Sequence, residues 1–451
     1  MRIAPGKCLS ALAGFAASLA VLCFAGRAHA VPAFAAQTGQ PCQTCHVGGF
    51  GPQLTPYGRN FKLNGYTQRD KGFTVPVSLM AIASYVRTAK AQNPAPAPGF
   101  SGNDNFALDQ ISLFVAGGLG AHLGGFIQTT TYDGVARAWT WDNLDLRATT
   151  KLKAKGADLV LGASVNNSPT VQDAWNTLGA WGFPFTSSSL APSPATAPLL
   201  SGALAQESLG LTGYAWIDNH VFVEAGAYGS PGATSLRRLG ADPTAPGNIE
   251  GEAPYGRLAW QGQVRGGTLE LGAFGMRARI HPGLDRTTPL TDLYADLGLD
   301  ASFQRPDTKG DVFSINFRYT REWQDLAASC DLAGGPAGCA ANDLSDVRGD
   351  VSYYWRNKLG ATVGVFDTFG SANPTLYASN RAFRPDSAGV ILQLDATPFG
   401  DRPQPRRRLN LRVGLQYWIY TQFNGSGTNF DRMGRNASDQ NTVRVFTWIA
   451  F

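Results

Sequence analysis

The chain has 451 residues, of which 53 are Gly, 11% are aromatic and only 16% are Asp, Glu, Lys or Arg. Sparse charge with abundant Gly and aromatic rings excludes a disordered chain and a long coiled coil. The single long apolar run lies at the N-terminus, which excludes a bundle of membrane-spanning helices, and the composition suits short alternating strands.

Residues 1–30 read as a secretory signal peptide. Arg2 and Lys7 supply a basic start, Leu9 to Phe24 is almost wholly small or apolar, and Ala28-His29-Ala30 is a small-x-small cleavage site. The alternative, a retained single-span anchor, would need a longer apolar core. Removing Arg2, Lys7 and Arg27 leaves 35 basic against 33 acidic residues, so no basic excess points to nucleic acid.

Cys8 and Cys23 leave with the leader. Cys42-Gln43-Thr44-Cys45-His46 is C-x-x-C-H, the attachment pattern of a c-type haem. Two thiols three positions apart reach the vinyl groups on one porphyrin edge, and the adjacent His46 becomes the proximal iron ligand. A zinc site lacks a second Cys/His pair nearby, and a thioredoxin-type C-x-x-C lacks its βαβ context. One covalent haem c is therefore expected. Cys330 and Cys339 remain, and they pair by elimination, as an exported chain permits.

From Val31 to about Val75 there are too few residues to bury a core, and the one expected helix runs from Leu54 to Leu63, opened by Thr55-Pro56. Residues 31–75 thus read as a small helical haem-bearing plug that folds against the remainder of the chain.

Residues 76–451 read as a barrel. In 311–321, Phe313, Ile315, Phe317 and Tyr319 oppose Ser314, Asn316, Arg318 and Thr320; in 292–304, Leu293, Ala295, Leu297 and Leu299 oppose Asp292, Asp296, Asp300 and Gln304. In 409–423, Leu411, Val413, Leu415 and Tyr417 oppose Asn410, Arg412 and Gln416. One apolar and one polar face at period two is the pattern of a transmembrane strand. Sixteen such segments lie near 77–88, 106–116, 121–132, 141–152, 157–166, 204–217, 220–228, 253–265, 268–280, 291–304, 311–321, 345–356, 358–368, 387–397, 408–422 and 440–451. Tight turns alternate with long loops such as 167–203 and 322–344, as in outer-membrane barrels. A soluble propeller or sandwich would not alternate in this way. The expectation is a mainly β, about 16-stranded porin-like barrel with a wide watery lumen partly filled by the plug.

The stretches Pro32-Ala33-Phe34-Ala35, Leu54-Thr55-Pro56-Tyr57-Gly58-Arg59 and Phe61-Lys62-Leu63-Asn64-Gly65-Tyr66 flank the C-x-x-C-H. Together with Asn166-Asn167-Ser168-Pro169-Thr170-Val171-Gln172-Asp173 and Trp181-Gly182-Phe183-Pro184, they resemble the fused outer-membrane monohaem cytochrome–porins of iron-oxidising bacteria. The resemblance implies a haem held by Cys42, Cys45 and His46. It further implies oxidation of extracellular Fe(II), with electrons passed to a soluble periplasmic c-type cytochrome. Some branches of that family use a less certain donor.

Met80, Met276, Met433, His122, His220 and His281 are the candidates for the sixth iron position. Met80, on the face of Ser78 and Ser84, stands nearest the plug in sequence; a wall role for Met80 is the alternative, and single histidines are usually satisfied polar groups. Lumen carboxylates Glu224, Asp292, Asp296, Asp300, Asp346, Asp350 and Asp395 could attract Fe(II). Arg318, Arg348 and Arg412 share that face, however, as in the mixed charge stripes of porin interiors. The Gly-rich run 117–125 reads as a turn rather than a nucleotide loop.

The sequence-level reading is thus an outer-membrane electron conduit from Fe(II) inward, an iron:cytochrome c oxidoreductase in type. Competing readings are a solute porin with a haem-bearing, redox-sensing plug, and the same conduit run outward. Oligomerisation, common for such barrels, stays open.

Overall fold

The computed structural model describes residues 32–70, 77–132, 139–244, 246–285, 287–401 and 409–451. The expected leader, 1–30, lies outside the described residues. The wall comprises β1 (Val77–Thr88), β2 (Asn105–Leu119), β3 (Leu123–Tyr132), β4 (Thr140–Ala154), β5 (Ala157–Asn166), β6 (Leu209–Ile217) and β7 (Val221–Gly229). A three-residue strand, β8 (Gly247–Ile249), precedes β9 (Ala253–Val264), β10 (Gly267–Pro282), β11 (Asp292–Pro306), β12 (Val312–Asp325) and β13 (Ala341–Trp355). The wall ends with β14 (Leu359–Gly370), β15 (Ser387–Ala396), β16 (Asn410–Gln422) and β17 (Thr442–Ala450).

Neighbouring strands pair antiparallel, and β1 pairs with both β2 and β17, placing Met80 opposite Ser112 on one side and Ala450 on the other. That closes the sheet. β7 pairs directly with β9, while β8 only adds three pairs beside the end of β10, so the barrel wall has sixteen strands. Closure leaves no open edge, the condition for a sheet to sit in hydrocarbon. No helix among the described residues is long and apolar enough to cross a membrane; the strands make the crossing.

Polarity across the wall is inverted relative to a water-soluble protein. On β11, Leu299 is 57% exposed while the adjacent Asp300 is 4% exposed. Leu258, Leu271, Phe317, Val363, Leu394 and Leu415 likewise face outward, and Arg318, Asp346, Asp395 and Arg412 are buried inside. An apolar outer band around a polar interior has its stable home in a bilayer. The protein is a porin-like β-barrel of the bacterial outer membrane.

The interior is filled, not open. Residues 167–208, between β5 and β6, fold inward, and Leu178, Leu199, Leu200 and Leu204 join the inward residues Tyr228, Tyr255, Phe274 and Met276 in one buried cluster. The wide watery lumen expected from strand number is therefore largely occupied. Tight turns gather at one end, near 120–122, 155–156, 218–220 and 265–266, together with the start of β1 and the end of β17. In outer-membrane barrels that end faces the periplasm. The opposite rim carries the long loops, one of them closed by the Cys330–Cys339 disulfide.

Candidate cofactor site at the periplasmic mouth

Among the described residues three α-helices precede the barrel: α1 (Ala33–Thr38), the single turn α2 (Cys42–Cys45) and α3 (Pro56–Leu63). Thr55 starts α3 as sequence spacing suggests. Its hydroxyl accepts from the Gly58 N–H at 3.2 Å and donates to the Thr44 carbonyl at 2.6 Å, so one side chain caps the helix and ties it to the Cys-containing turn. The Thr55 N–H adds a bond to the Cys45 carbonyl at 2.9 Å. His46 follows in extended conformation and bridges to Leu54. The result is a small knot in which Cys42, Cys45 and His46 are fixed against α3.

This knot is bolted to the tight-turn end of the barrel. The Gly48 N–H donates to Asn357 Oδ1 at 2.5 Å, and Gln53 Nε2 donates to Ser314 Oγ at 2.7 Å. Arg412 Nη1 donates to the Phe50 carbonyl at 2.8 Å. Lys62 Nζ donates to the carbonyls of Val171 at 2.6 Å and Asp173 at 3.0 Å, both on the infolded segment. The Tyr66 hydroxyl donates to Asp145 Oδ2 at 2.7 Å. Each barrel partner is buried or part-buried, so these bonds are shielded from water and fix orientation.

Between plug and wall lies an apolar pocket with about 1290 Å³ of atom-free space, partly continuous with solvent. Cys42, Cys45, His46 and Met80 all line it, and aromatic rings supply its walls, among them Phe34, Phe50, Phe114, Phe126, Trp181 and Trp448. Phe50 packs on Trp448 with ring centroids 5.0 Å apart, and Phe34 stacks on Tyr66 at 5.1 Å.

Burial sets the chemistry of the polar groups here. Burial pushes the His46 imidazole down to about 4, with Arg412 acting in the same direction and the Gly51 backbone opposing. At neutral pH it is therefore an uncharged ring with a lone pair to offer, and its Nδ1 is buried without a hydrogen-bond partner. Burial, then the neighbouring Cys42, pushes the Cys45 thiol up to about 12; burial also raises Cys42. Cys42 and Cys45 are not joined to each other in a disulfide. A thiolate-based redox pair would require the opposite shift. Among the described residues no group of three or more His, Cys, Asp and Glu side chains is arranged to hold a metal ion. Two thiols, a neutral imidazole, a thioether and aromatic walls fit a c-type haem. The Trp448 Nε1–H, buried in the wall without a partner, remains available to a polar edge of such a group.

Of the candidates for the sixth position, Met80 alone lines this pocket. Met276 belongs to the cluster around Leu178 and Leu200, and Met433 is exposed in an outer loop. His122 and His220 sit exposed in tight turns, with ring nitrogens on the carbonyls of Thr149 and Gln261. His281, at the outer end of β10, faces Glu250 at 3.4 Å. The lumen carboxylates are engaged rather than free. Asp300 binds Arg257 at 2.7 Å, Asp346 binds Arg318 at 2.7 Å, and Asp395 binds Arg412 at 3.0 Å. Glu224 accepts from Thr212, Asp350 from Asn316, Asp292 from Ser329, and Asp296 from the Leu200 N–H. Of these, Asp296 and Asp300 tie the infolded segment to the wall, through the Leu200 N–H and the Thr177 hydroxyl; Glu224, Asp350 and Asp395 join one wall strand to the next.

Sequence reading missed the aromatic wall. Its signal was present: on β1, β2, β3 and β17 the inward positions turn apolar at Met80, Ile82, Phe114, Phe126, Phe446 and Trp448, where other strands place charge.

No protein-family model matches the chain, and no curated protein sequence matches it. Among solved structures, in-vitro folded OmpT of Vibrio cholerae is 9% identical, with a TM-score of 0.42 over 83% of this chain and 96% of that one. An anion-selective porin from Comamonas acidovorans is 13% identical, with a TM-score of 0.43 over 83% and 98%. The outer membrane channel DcaP of Acinetobacter baumannii is 10% identical, with a TM-score of 0.48 over 83% and 96%. Likenesses at this level carry no function across.

Proposed function

We propose that the protein is an outer-membrane electron conduit that takes electrons from Fe(II) on the outer side and delivers them through one covalent haem c to a soluble periplasmic c-type cytochrome. The observation that carries this reading is the convergence of Cys42, Cys45, His46 and Met80 on one aromatic pocket at the tight-turn end. The group, when bound, supplies one-electron chemistry at iron.

The chain's own residues do the rest. Cys42 and Cys45 would anchor the macrocycle through thioethers. His46, uncharged and rigidly placed, would ligate one side, and Met80 the other. Phe50, Phe126, Trp181 and Trp448 exclude water, which favours a higher potential by keeping the site apolar. The periplasmic position suits delivery to a soluble carrier on that side. It also leaves most of an apolar band about 25 Å tall between the pocket and the outer surface, so the donor must enter the outer half of the lumen. The occupied lumen weighs against free passage of solutes. Anaerobic stopped-flow mixing of the haem-loaded protein with Fe(II) tests the reading: reduction within seconds supports it, and no reduction at any accessible pH refutes it.

A further inference from the structure

The atom-free space of the lumen continues beyond the haem-type pocket. That pocket shares Asn176 and Trp181 with a middle cavity of about 590 Å³, which in turn shares Gly182, Phe183 and Arg348 with an outer cavity of about 1130 Å³. The three follow one another from the tight-turn end toward the long loops, with Trp181, Gly182 and Phe183 at the boundaries they share.

The outer cavity has a distinct chemistry. Arg348 and Arg444 line it, and no carboxylate does among the described residues. Asp346 lies sealed beneath Arg318 and Arg348, and Asp109 is spent on Arg444 at 3.0 Å and on Ser188. Arg348 uses its Nε on Asp346 and lies over the Phe183 ring at 5.5 Å; its two terminal nitrogens make no protein hydrogen bond among the described residues. Ser187, Ser189 and Thr196 line the same space, and their hydroxyls have no protein hydrogen-bond partner among the described residues. A partly exposed guanidinium that commits only its Nε to a carboxylate, in a cavity also lined by uncommitted hydroxyls, is built to receive a planar oxyanion.

We infer that the outer cavity is a binding site for small polycarboxylate anions, centred on the Arg348 guanidinium, and that a ferrous donor enters this lumen as an anionic carboxylate chelate. The second half of this inference rests on the conduit reading; the first does not. A bare hydrated cation would meet Arg348 and Arg444 with no acidic partner, whereas a chelate with spare carboxylates would be drawn to the fork.

The test is calorimetric titration of the haem-loaded protein in detergent with metal-free citrate at constant ionic strength. Citrate binding is read without any electron transfer, so failure here is distinguishable from failure of Fe(II) to reduce the haem. Saturable binding in the wild type is expected, weakened about 10-fold or more by Arg348→Gln. Arg348→Lys should recover part of the affinity, which separates loss of charge from misfolding. Ser187→Trp, which fills the cavity and leaves the charge in place, should also weaken binding. No saturable citrate binding, equal affinity in Arg348→Gln, or equal affinity for chloride at the same ionic strength would each overturn the site.

Discussion

Gly58 lies inside α3 and faces the Cys-containing turn at a distance only glycine allows. A Cβ built there would stand 2.4 Å from the Cys45 carbonyl oxygen and 3.1 Å from its Cα, where ordinary contact begins at 3.4 Å. Gly58→Ala therefore forces α3 and the turn apart by about 1 Å. Neither can yield freely, because Thr55 bonds to both Thr44 and Cys45. Overpacking of this kind costs about 1–3 kcal/mol. Straining the Thr55–Cys45 bond costs about 1 more, roughly offset by the helix preference for Ala over Gly. The net loss is about 1–3 kcal/mol, confined to the plug. Guanidinium unfolding in detergent, followed by haem absorbance and by Trp fluorescence, should show an earlier transition for the haem signal with the barrel transition unchanged. Gly232→Ala, at a position with no atom within 4 Å, is the matched control and should change nothing. A Gly58→Ala protein that matches or exceeds the wild type in stability and haem content would refute the close packing of α3 on Cys45.

Two further outcomes are expected from the pocket and the lumen filling. Met80→Ala should lower the haem reduction potential and change the visible spectrum, because a thioether ligand favours the reduced iron; an unchanged spectrum and potential would remove Met80 from the iron. Glu207, buried beside the lumen filling with Oε2 unpartnered, is pushed up to about 7 by burial and then by Asp242. Its stabilising contribution is fully present below pH 4.5 and is lost as pH rises through about 7. Glu207→Gln should flatten that slope between pH 4 and 9 and raise stability at pH 8 by about 1–2 kcal/mol, below the full linkage of about 3 kcal/mol because local relaxation and water entry soften the penalty on the charged form. Thermal unfolding across that range decides it, and an unaltered slope in the variant would contradict the assignment.

The wall was legible in the sequence because period-two alternation is a direct imprint of a two-faced sheet, and each of the sixteen expected segments falls on a strand. The segment expected from 204 begins as β6 only at Leu209, since Leu204 is drawn into the lumen cluster instead of the wall. β8 escaped notice because three residues are too short for alternation to register. The helix after Thr55 was legible from its cap and Pro56, whereas α1 and α2 lack such signals and are held by docking. The filled lumen was not legible for a physical reason. Inward Asp and Arg look the same in sequence whether they meet water or, like Asp300 with Arg257 and Thr177, each other and an infolded loop. Spacing singled out Cys42, Cys45 and His46 as a group, and the fold brings all three to one pocket. That Asn176 and Trp181 come to line the same pocket depended on the fold of the loop after β5.

The account stands most directly on the intact mass of the polypeptide recovered from the outer-membrane fraction of cells that carry out c-type cytochrome maturation. It predicts a chain beginning near Val31 that carries the mass of one haem, and loss of that added mass when Cys42 and Cys45 are both replaced by Ala. A membrane-inserted chain of unmodified mass, or a haem retained in the double variant, would contradict it.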